Sequence, residues 1–220
     1  MGYGIKIEIS GEYALFTRPE LKVERYSYEI ITPSAARGVL EAVYFKPQIK
    51  WKINKIHIYN ALKFASFKRN EVSEKILESD AKKMMKGSKS AKGYLNTVDK
   101  IQQRSATVLK DVRYIIEAEF SMTGIKSRED DTKEKHYNMI LRRLRKGQCF
   151  HQPYLGCREF PAKVKIVEDE IEKSSLIGEK DLGFMLLDMD YSNLDNITPI
   201  FFRAKMIDGV VDVKNAVELR

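Results

Sequence analysis

The sequence predicts an α+β protein with a ferredoxin-like N-terminal domain followed by a β-rich segment. Two observations predict this class. Segments in which every second residue is apolar alternate with segments in which apolar residues recur every three or four positions. In chain order they read strand, helix, strand, strand and helix, which begins the βαββαβ arrangement of RNA-recognition-type domains. The predicted division is residues 1–160 and residues 161–220.

The first strand and the first helix have the clearest patterns. Residues 5–9 alternate apolar and polar side chains, which is typical of a strand with one buried face. A helix is predicted over residues 33–45, with Thr32 as its N-cap. Pro33 occupies the first helical position, where a missing N–H costs nothing, and Pro47 prevents the helix from continuing. The predicted buried stripe consists of Ala36, Val39, Leu40 and Val43.

The middle of the chain returns to alternation. Over residues 49–59 the apolar phase slips at Asn54 and Lys55, which predicts a β-bulge. A further strand is predicted over residues 112–120, where alternate side chains are apolar or aromatic. Both segments are therefore assigned to the central sheet.

A second helix is predicted from about residue 132 to residue 146. Asp131 and Glu134 have the spacing of a capping box at its start. The remaining chain contains three short strand candidates and one helical pattern. They lie at residues 163–167, 183–187, 200–206 and 213–219.

Residues 70–100 differ in character and are predicted to be an insertion or a mobile loop. Residues 71–85 have helical spacing, and residues 86–93 form a basic stretch rich in Gly and Ser. Two interpretations remain open: a solvated surface excursion, or a finger that contacts RNA.

Composition narrows the function classes. The net charge of +8 and the pI of about 9.3 favour a polyanionic partner, because neutralised phosphates release counterions. No apolar run reaches the ~18 residues of a membrane-spanning helix, and the N-terminus lacks the apolar stretch of a secretory signal. We therefore expect a cytoplasmic protein without a membrane partner.

The two cysteines raise the question of a metal. Cys149, His151 and Cys157 form a cluster whose spacing fits no common structural zinc site, and a fourth ligand is missing. Two reduced thiols are the favoured interpretation. We expect no metal and no cofactor.

Two groups of residues carry candidate chemistry. Arg37, Glu41 and Tyr44 share one helical face, and a tyrosine hydroxyl that points outward from it can exchange a proton. Lys135 and His136 lie at the start of the second helix, where free N–H groups and the dipole attract phosphate. The alternatives are a packing tyrosine and two tolerated surface residues.

Together these residues match the needs of RNA cleavage. The ribose 2′-OH is an internal nucleophile, so the reaction requires a base, an acid and positive charge at the phosphate. Tyr44, Lys135 and His136 supply these groups without a metal. The candidate RNA-binding residues are Arg37, Arg104, Lys110, Arg113, Arg142, Arg143 and Arg158.

Several short stretches also resemble one known family, the Cas5 proteins of CRISPR subtype I-C. Their order and spacing over residues 11–161 make the resemblance specific. The matching stretches are Gly11–Thr17, Tyr26–Tyr28, Pro33–Gly38, Ala42–Pro47, Gln103–Tyr114, Lys135–Tyr137 and Tyr154–Pro161.

This resemblance implies a ferredoxin-like RNA-binding and catalytic domain over residues 1–160, with a β-rich part over residues 161–220. It implies metal-independent cleavage of precursor CRISPR RNA at the base of the repeat hairpin, leaving a 2′,3′-cyclic phosphate. The protein would retain the 5′ handle beside the backbone and large subunits of the Cascade complex. The family's catalytic residues fall on Tyr44, Lys135 and His136.

The chain also departs from the family pattern. Residues 21–25 lack the usual Gly-Gly-Glu, and residues 70–100 follow no common pattern. The main alternative is a non-catalytic subunit that binds the crRNA 5′ handle while another nuclease cuts. A general single-strand RNA-binding module is disfavoured, because the aromatic strand motif of that class is missing from the sequence. Which of Tyr44 and His136 is base or acid is left open.

Overall fold

The structure is a computed structural model that describes residues 3–21, 23–87, 94–125 and 131–220. Strands and helices alternate in the first two-thirds of the described chain, and strands alone follow. In order they are β1 (Gly4–Ala14), β2 (Arg25–Tyr26), α1 (Pro33–Val43), β3 (Ile49–Ile58), β4 (Lys63–Val72), α2 (Glu78–Met85), a 3₁₀ turn (Val98–Lys100), β5 (Ile101–Met122), α3 (Lys133–Arg145), β6 (Lys163–Ile166), β7 (Glu179–Asp190), β8 (Thr198–Ile207) and β9 (Val210–Asp212).

All nine described strands belong to one sheet. Seven of them follow the order β6-β1-β5-β3-β9-β8-β7, and β2 and β4 each pair with β5 outside this order. The pairs are antiparallel except for the short parallel pair of β2 with β5. The α+β class is therefore confirmed, with a large antiparallel sheet and few helices. The strands of the C-terminal part join the same sheet at both ends, β6 beside β1 and β9 beside β3.

Strand β5 is 22 residues long and organises this sheet. Its second half pairs with β1 and β3, whereas its first half pairs with β4 and also contacts β2 and the end of β1. Residues 101–105 pair with β4 alone and form an extended two-stranded arm. Asp111 lies at the junction with a φ of 53°, a left-handed conformation that bends the strand there. Asn60 stabilises the bend by donating to the Asp111 carbonyl oxygen at 2.6 Å.

Helices α1 and α3 cover one face of the sheet. The alternate residues of β1, β3 and β5 on that face are buried beneath them in a single apolar core. Each helix begins at a threonine whose hydroxyl accepts a backbone N–H: Thr32 from Ala35 at 3.1 Å, and Thr132 from Lys135 at 3.2 Å. No helix in the described ranges is long and apolar enough to span a membrane.

The local predictions have mixed outcomes. The Thr32 cap with Pro33 in the first turn is confirmed, and so is the bulge, as a register shift between Ile53 and Lys55. The predicted capping box of Asp131 and Glu134 is wrong, because Thr132 rather than Asp131 is the N-cap of α3.

The predicted segment boundaries are wrong in three places. The pattern over residues 71–85 divides between the end of β4 and the shorter helix α2. Strand β5 begins before the predicted residue 112, because residues 102–105 are polar and exposed or half-exposed, so the buried residues that follow do not continue into an alternating pattern. Residues 213–219 form no helix, since Phe201 and Leu219 exchange backbone hydrogen bonds of 2.8 and 2.9 Å. Of the basic stretch 86–93, residues 88–93 lie outside the described chain.

One glycine has no room for a side chain. Gly156 has a φ of +82°, and a Cβ there would lie 1.9 Å from the carbonyl oxygen of Leu15. We predict that Gly156→Ala lowers the free energy of unfolding by about 3 kcal/mol or more, through backbone strain and overlap. The midpoint of urea denaturation measures this change.

Gly183→Ala is the matched control. Gly183 has a similar φ of +72°, but nothing lies within 4 Å of its added Cβ. At this position only the left-handed backbone conformation disfavours alanine, which lowers the free energy of unfolding by about 1–2 kcal/mol. Equal losses in the two variants would contradict the close approach at Gly156.

Candidate active site

Tyr44 lies where α1 ends. It is the C-cap residue with an extended backbone (φ −147°, ψ 106°), and its side chain is only 1% exposed. Trp51 Nε1 donates to its carbonyl oxygen at 3.3 Å, which helps hold this turn. The expectation that the hydroxyl points outward is wrong, because the change from helical to extended backbone directs the ring toward α3.

The Tyr44 hydroxyl contacts His136 on α3. Its Nδ1 lies 2.8 Å from the Tyr44 hydroxyl oxygen, although the two residues are 92 positions apart. The imidazole is 3% exposed. Its Nε2 is buried and has no hydrogen-bond partner among the described residues. The structure thus brings together two of the three predicted catalytic residues, with one imidazole nitrogen held and the other unused.

The contact is compatible with both neutral tautomers of His136. If Tyr44 donates to Nδ1, then Nε2 carries the proton and acts as a donor. If Nδ1 donates to the Tyr44 oxygen, the tyrosine proton points to Met139 Sδ, 3.6 Å away, and Nε2 keeps a free lone pair. The thioether is a weak acceptor, so the second arrangement is the less favourable of the two, but it is the one that leaves Nε2 as an acceptor. Nε2 can therefore give or take a proton while the pair stays in contact.

Burial and neighbouring charges determine the protonation of the pair. Burial lowers the pKa of His136 below 6.5, and the ammonium groups of Lys135 and Lys46 lower it further, against an opposing effect of Asp131. Burial raises the pKa of Tyr44 above 10, despite the opposing charge of Arg143. At neutral pH the site therefore holds a neutral imidazole and a protonated phenol.

The first turn of α3 is anchored from the N-terminal strand region. The Tyr3 hydroxyl donates to the carboxylate of Glu134, and the Tyr3 and Tyr137 rings meet edge to face with centroids 5.3 Å apart. Together with the Thr132 cap, these contacts determine where Lys135 and His136 lie. Glu134, expected in a capping box, thus contributes to the site by a different contact.

Arg143 joins the two helices over the tyrosine. Its Nη1 donates to the carbonyl oxygen of Val43 at 2.8 Å, and its guanidinium lies 5.2 Å from the centroid of the Tyr44 ring. It satisfies a carbonyl that α1 leaves unpaired at its C-terminus. Of the predicted RNA-binding residues, Arg143 is the one in direct contact with the Tyr44–His136 pair.

The other predicted RNA-binding residues lie elsewhere. Arg37 pairs with Glu41 and Asp188 at 2.7 Å each, and Arg113 donates twice to Glu8, so carboxylates hold both guanidiniums. The four remaining predicted RNA-binding residues lie on exposed or half-exposed surface: Arg104, Lys110, Arg142 and Arg158. Of these, Arg104 lies 3.6 Å from a carboxylate oxygen of Glu71.

Sequence reasoning missed three site residues. Lys46 and Asp131 change the pKa of His136, and Met139 accepts the alternative tyrosine hydrogen bond. Lys46 was detectable as a cation two positions after Tyr44, but Met139 gave no signal. No group of three or more potential metal ligands occurs in the part of the chain that the structure describes. Cys149 and Cys157 are free thiols.

Comparison with known proteins identifies the family. The family described as CRISPR-associated protein (Cas_Cas5) matches residues 4–214, so the chain belongs to it and the resemblance is confirmed. A relative from Mannheimia succiniciproducens, named CRISPR pre-crRNA endoribonuclease Cas5d, is 47% identical over 97% of this chain and 96% of its own. A protein of the same name from Thermus thermophilus is 35% identical over 95% of this chain and 90% of its own.

Solved structures support the same fold. One described as a CRISPR-associated protein superposes with a TM-score of 0.69 at 22% identity, covering 99% of this chain and 96% of its own. A functionally uncharacterized protein from Streptococcus mutans gives 0.67 at 21% identity, with 99% and 97% covered. A chain of a CRISPR RNA-guided surveillance complex gives 0.51 at 12% identity, with 98% and 90% covered.

The lowered pKa of His136 predicts how stability depends on pH. Below the ordinary value of 6.5 the unfolded chain takes up the proton more readily than the folded one. The stability contributed by the neutral imidazole is thus complete above this pH and is lost as pH falls through the lower folded pKa. Urea denaturation at about pH 7.5 and about pH 5.5 should show a larger loss for wild type than for His136→Gln. Equal losses would contradict the lowered pKa.

Proposed function

We propose that this protein is a metal-independent endoribonuclease that cleaves precursor CRISPR RNA at the base of the repeat hairpin. It then retains the 5′ handle as a subunit of a type I-C Cascade complex. The observation that carries the proposal is the buried Tyr44–His136 contact with an unused Nε2, beside Lys46 and Lys135. The two relatives named as pre-crRNA endoribonucleases support the substrate.

The proposed reaction uses the ribose as its own nucleophile. This step requires that RNA binding opens the cover over the buried Nε2 of His136. The neutral imidazole then takes the proton of the 2′-OH at Nε2 as the 2′-oxygen attacks the adjacent phosphorus. The P–O5′ bond breaks in line with the attack, giving a 2′,3′-cyclic phosphate and a 5′-OH. The lowered pKa of His136 suits it to the base role, because the imidazole is already neutral at pH 7.

Lys135 and Lys46 have the complementary role in this proposal. The phosphoryl oxygens gain negative charge in the transition state, and ammonium groups beside the imidazole stabilise that charge. An ammonium is also a proton donor for the departing 5′-oxygen. Both lysines are close enough to lower the pKa of His136, which supports their position at the phosphate.

Tyr44 acts as a positioning residue. Its raised pKa keeps the hydroxyl protonated, so the phenol is a poor base and a good partner for Nδ1. With Nδ1–H donating to the hydroxyl oxygen, the hydrogen bond orients the imidazole and leaves the Nε2 lone pair free to take the 2′-OH proton, which gives an imidazolium. Arg143 in turn holds the tyrosine ring.

The proposal includes a ferredoxin-like fold for the N-terminal domain. The order β6-β1-β5-β3, with α1 between β1 and β3 and α3 between β5 and β6, supports it. Residues 1–160 form the RNA-binding and catalytic domain and residues 161–220 the β-rich part, with β6 completing the sheet of the first. Of the proposed insertion at residues 70–100, the described elements α2 and the 3₁₀ turn lie between β4 and β5 along the chain.

The proposed partners are precursor CRISPR RNA, the crRNA 5′ handle, and the backbone and large subunits of Cascade in the cytoplasm. The similarity in fold to a chain of an RNA-guided surveillance complex supports assembly into such a complex. The net charge of +8 supports the RNA partner.

Cleavage of a matching repeat RNA in EDTA tests the function. We expect wild type to make one cut below the hairpin, and His136→Ala to reduce the rate at least about 100-fold, as loss of a general base does. Tyr44→Phe should reduce the rate less, because the imidazole remains but loses its orienting partner. The 3′ end of the upstream product should be a cyclic phosphate.

His57→Gln provides the matched control. His57 also makes a 2.7 Å side-chain contact, with Glu117, but it lies on β3 away from the candidate site. Its cleavage rate should equal that of wild type. Tight binding without cleavage by any variant would favour the handle-binding subunit, and a rate restored only by added metal would overturn the metal-independent reaction.

A further inference from the structure

A short segment after α3 packs against the end of α1. The backbone N–H groups of Phe150 and His151 both donate to the carbonyl oxygen of Ala42, at 2.8 and 3.2 Å. Ala42 lies two positions before Tyr44, so this double contact places the segment beside the candidate active site. Gln148 N–H donates to the Arg143 carbonyl oxygen at 2.8 Å, which connects the segment to the helix that carries His136.

The aromatic side chains at this place face solvent. Phe150 is 72% exposed and Phe45, which directly follows Tyr44, is 55% exposed. The Phe150 and His151 rings lie at 78° to each other with centroids 5.7 Å apart, and most of the Phe150 ring remains exposed to solvent. Backbone hydrogen bonds hold this segment in place while the Phe150 ring is exposed to water, so the ring is presented from a fixed position.

Exposed cations occupy the chain segments that adjoin these aromatic residues. The last turn of α3 is basic, and Arg142 and Lys146 have exposed side chains. Lys46 follows Phe45 and is also exposed. Proteins that bind single-stranded RNA combine this pair of features, because cations contact the phosphates while aromatic faces stack on unpaired bases.

We propose that Phe150, supported by His151, is a stacking platform for an unpaired nucleobase next to the scissile phosphate. The inference rests on the proposed function, because it takes the Tyr44–His136 pair to mark that phosphate. Stacking on Phe150 fixes the nucleotide beside the cut and holds the backbone between the platform and Nε2. A base has a flat face that matches an exposed aromatic ring, and the exposed cations of the adjoining segments complement its phosphates.

The test separates binding from cleavage. We would measure affinity for a repeat RNA whose nucleophilic 2′-OH is replaced by hydrogen, so that no cut occurs by the proposed reaction. Phe150→Ala should weaken binding about five- to 150-fold, the range that loss of one base–aromatic stack produces. Phe150→Trp should bind as tightly as wild type, because it keeps a flat aromatic face.

A second series of RNAs identifies the base. Each RNA lacks one unpaired base flanking the cleavage position. For one of them, wild type should bind as weakly as Phe150→Ala binds intact RNA, and Phe150→Ala should lose little more. Phe184→Ala is the matched control, because Phe184 is 61% exposed on β7 and makes no part of the site; its affinity should be unchanged.

Two results would overturn the platform. One is unchanged RNA affinity in Phe150→Ala, including the case in which the variant instead fails to join a partner subunit. The other is an equal weakening by Phe150→Ala for every abasic RNA, which would indicate a general effect on the surface. Since no cleavage is measured, these outcomes are independent of whether His136→Ala abolishes cutting.

Discussion

The hydrogen bond between Tyr44 and His136 is the contact around which the rest of the site is arranged. It joins the C-terminus of α1 to the first turn of α3, and both helices must lie on the same face of the sheet for the 2.8 Å distance to exist. The threonine caps determine where each helix starts, and β1 and β5 pair beneath them. A small change in the crossing of the two helices would separate the hydroxyl from the imidazole while leaving the sheet intact.

Burial makes this contact chemically useful. A histidine and a tyrosine in water would have pKa values on either side of neutrality, and the fold moves them further apart. Desolvation favours the neutral form of both groups, so the pair remains uncharged beside Lys46, Lys135 and Arg143. The positive charge beside the pair is available to an incoming phosphate, whereas the Arg37 guanidinium is held between Glu41 and Asp188.

Local chemistry explains which features the sequence predicted. Thr32 is recognisable as a cap because it acts on the adjacent turn, and the bulge after Ile53 is visible as a slip in apolar phase. Tyr44 and His136 could be chosen as candidates by residue type and helix position. Their burial could not be predicted, because it depends on the packing of two helices that brings together residues 92 positions apart. The helical pattern of residues 213–219 is misleading for the same reason, because Leu219 in this segment forms backbone hydrogen bonds with a strand distant in sequence. The exposed ring of Phe150 likewise has no local signature.

Strand β5 passes without interruption from the body of the protein into the arm. The arm is therefore attached by a continuous hydrogen-bonded ladder and not by a linker, and its direction is set by the bend at Asp111 and the bond from Asn60. A force applied to the tip of the arm is transmitted along β5, the strand that also lies beneath α1 and α3. A partner that binds the tip would therefore act on the central strand of the sheet that supports the two helices.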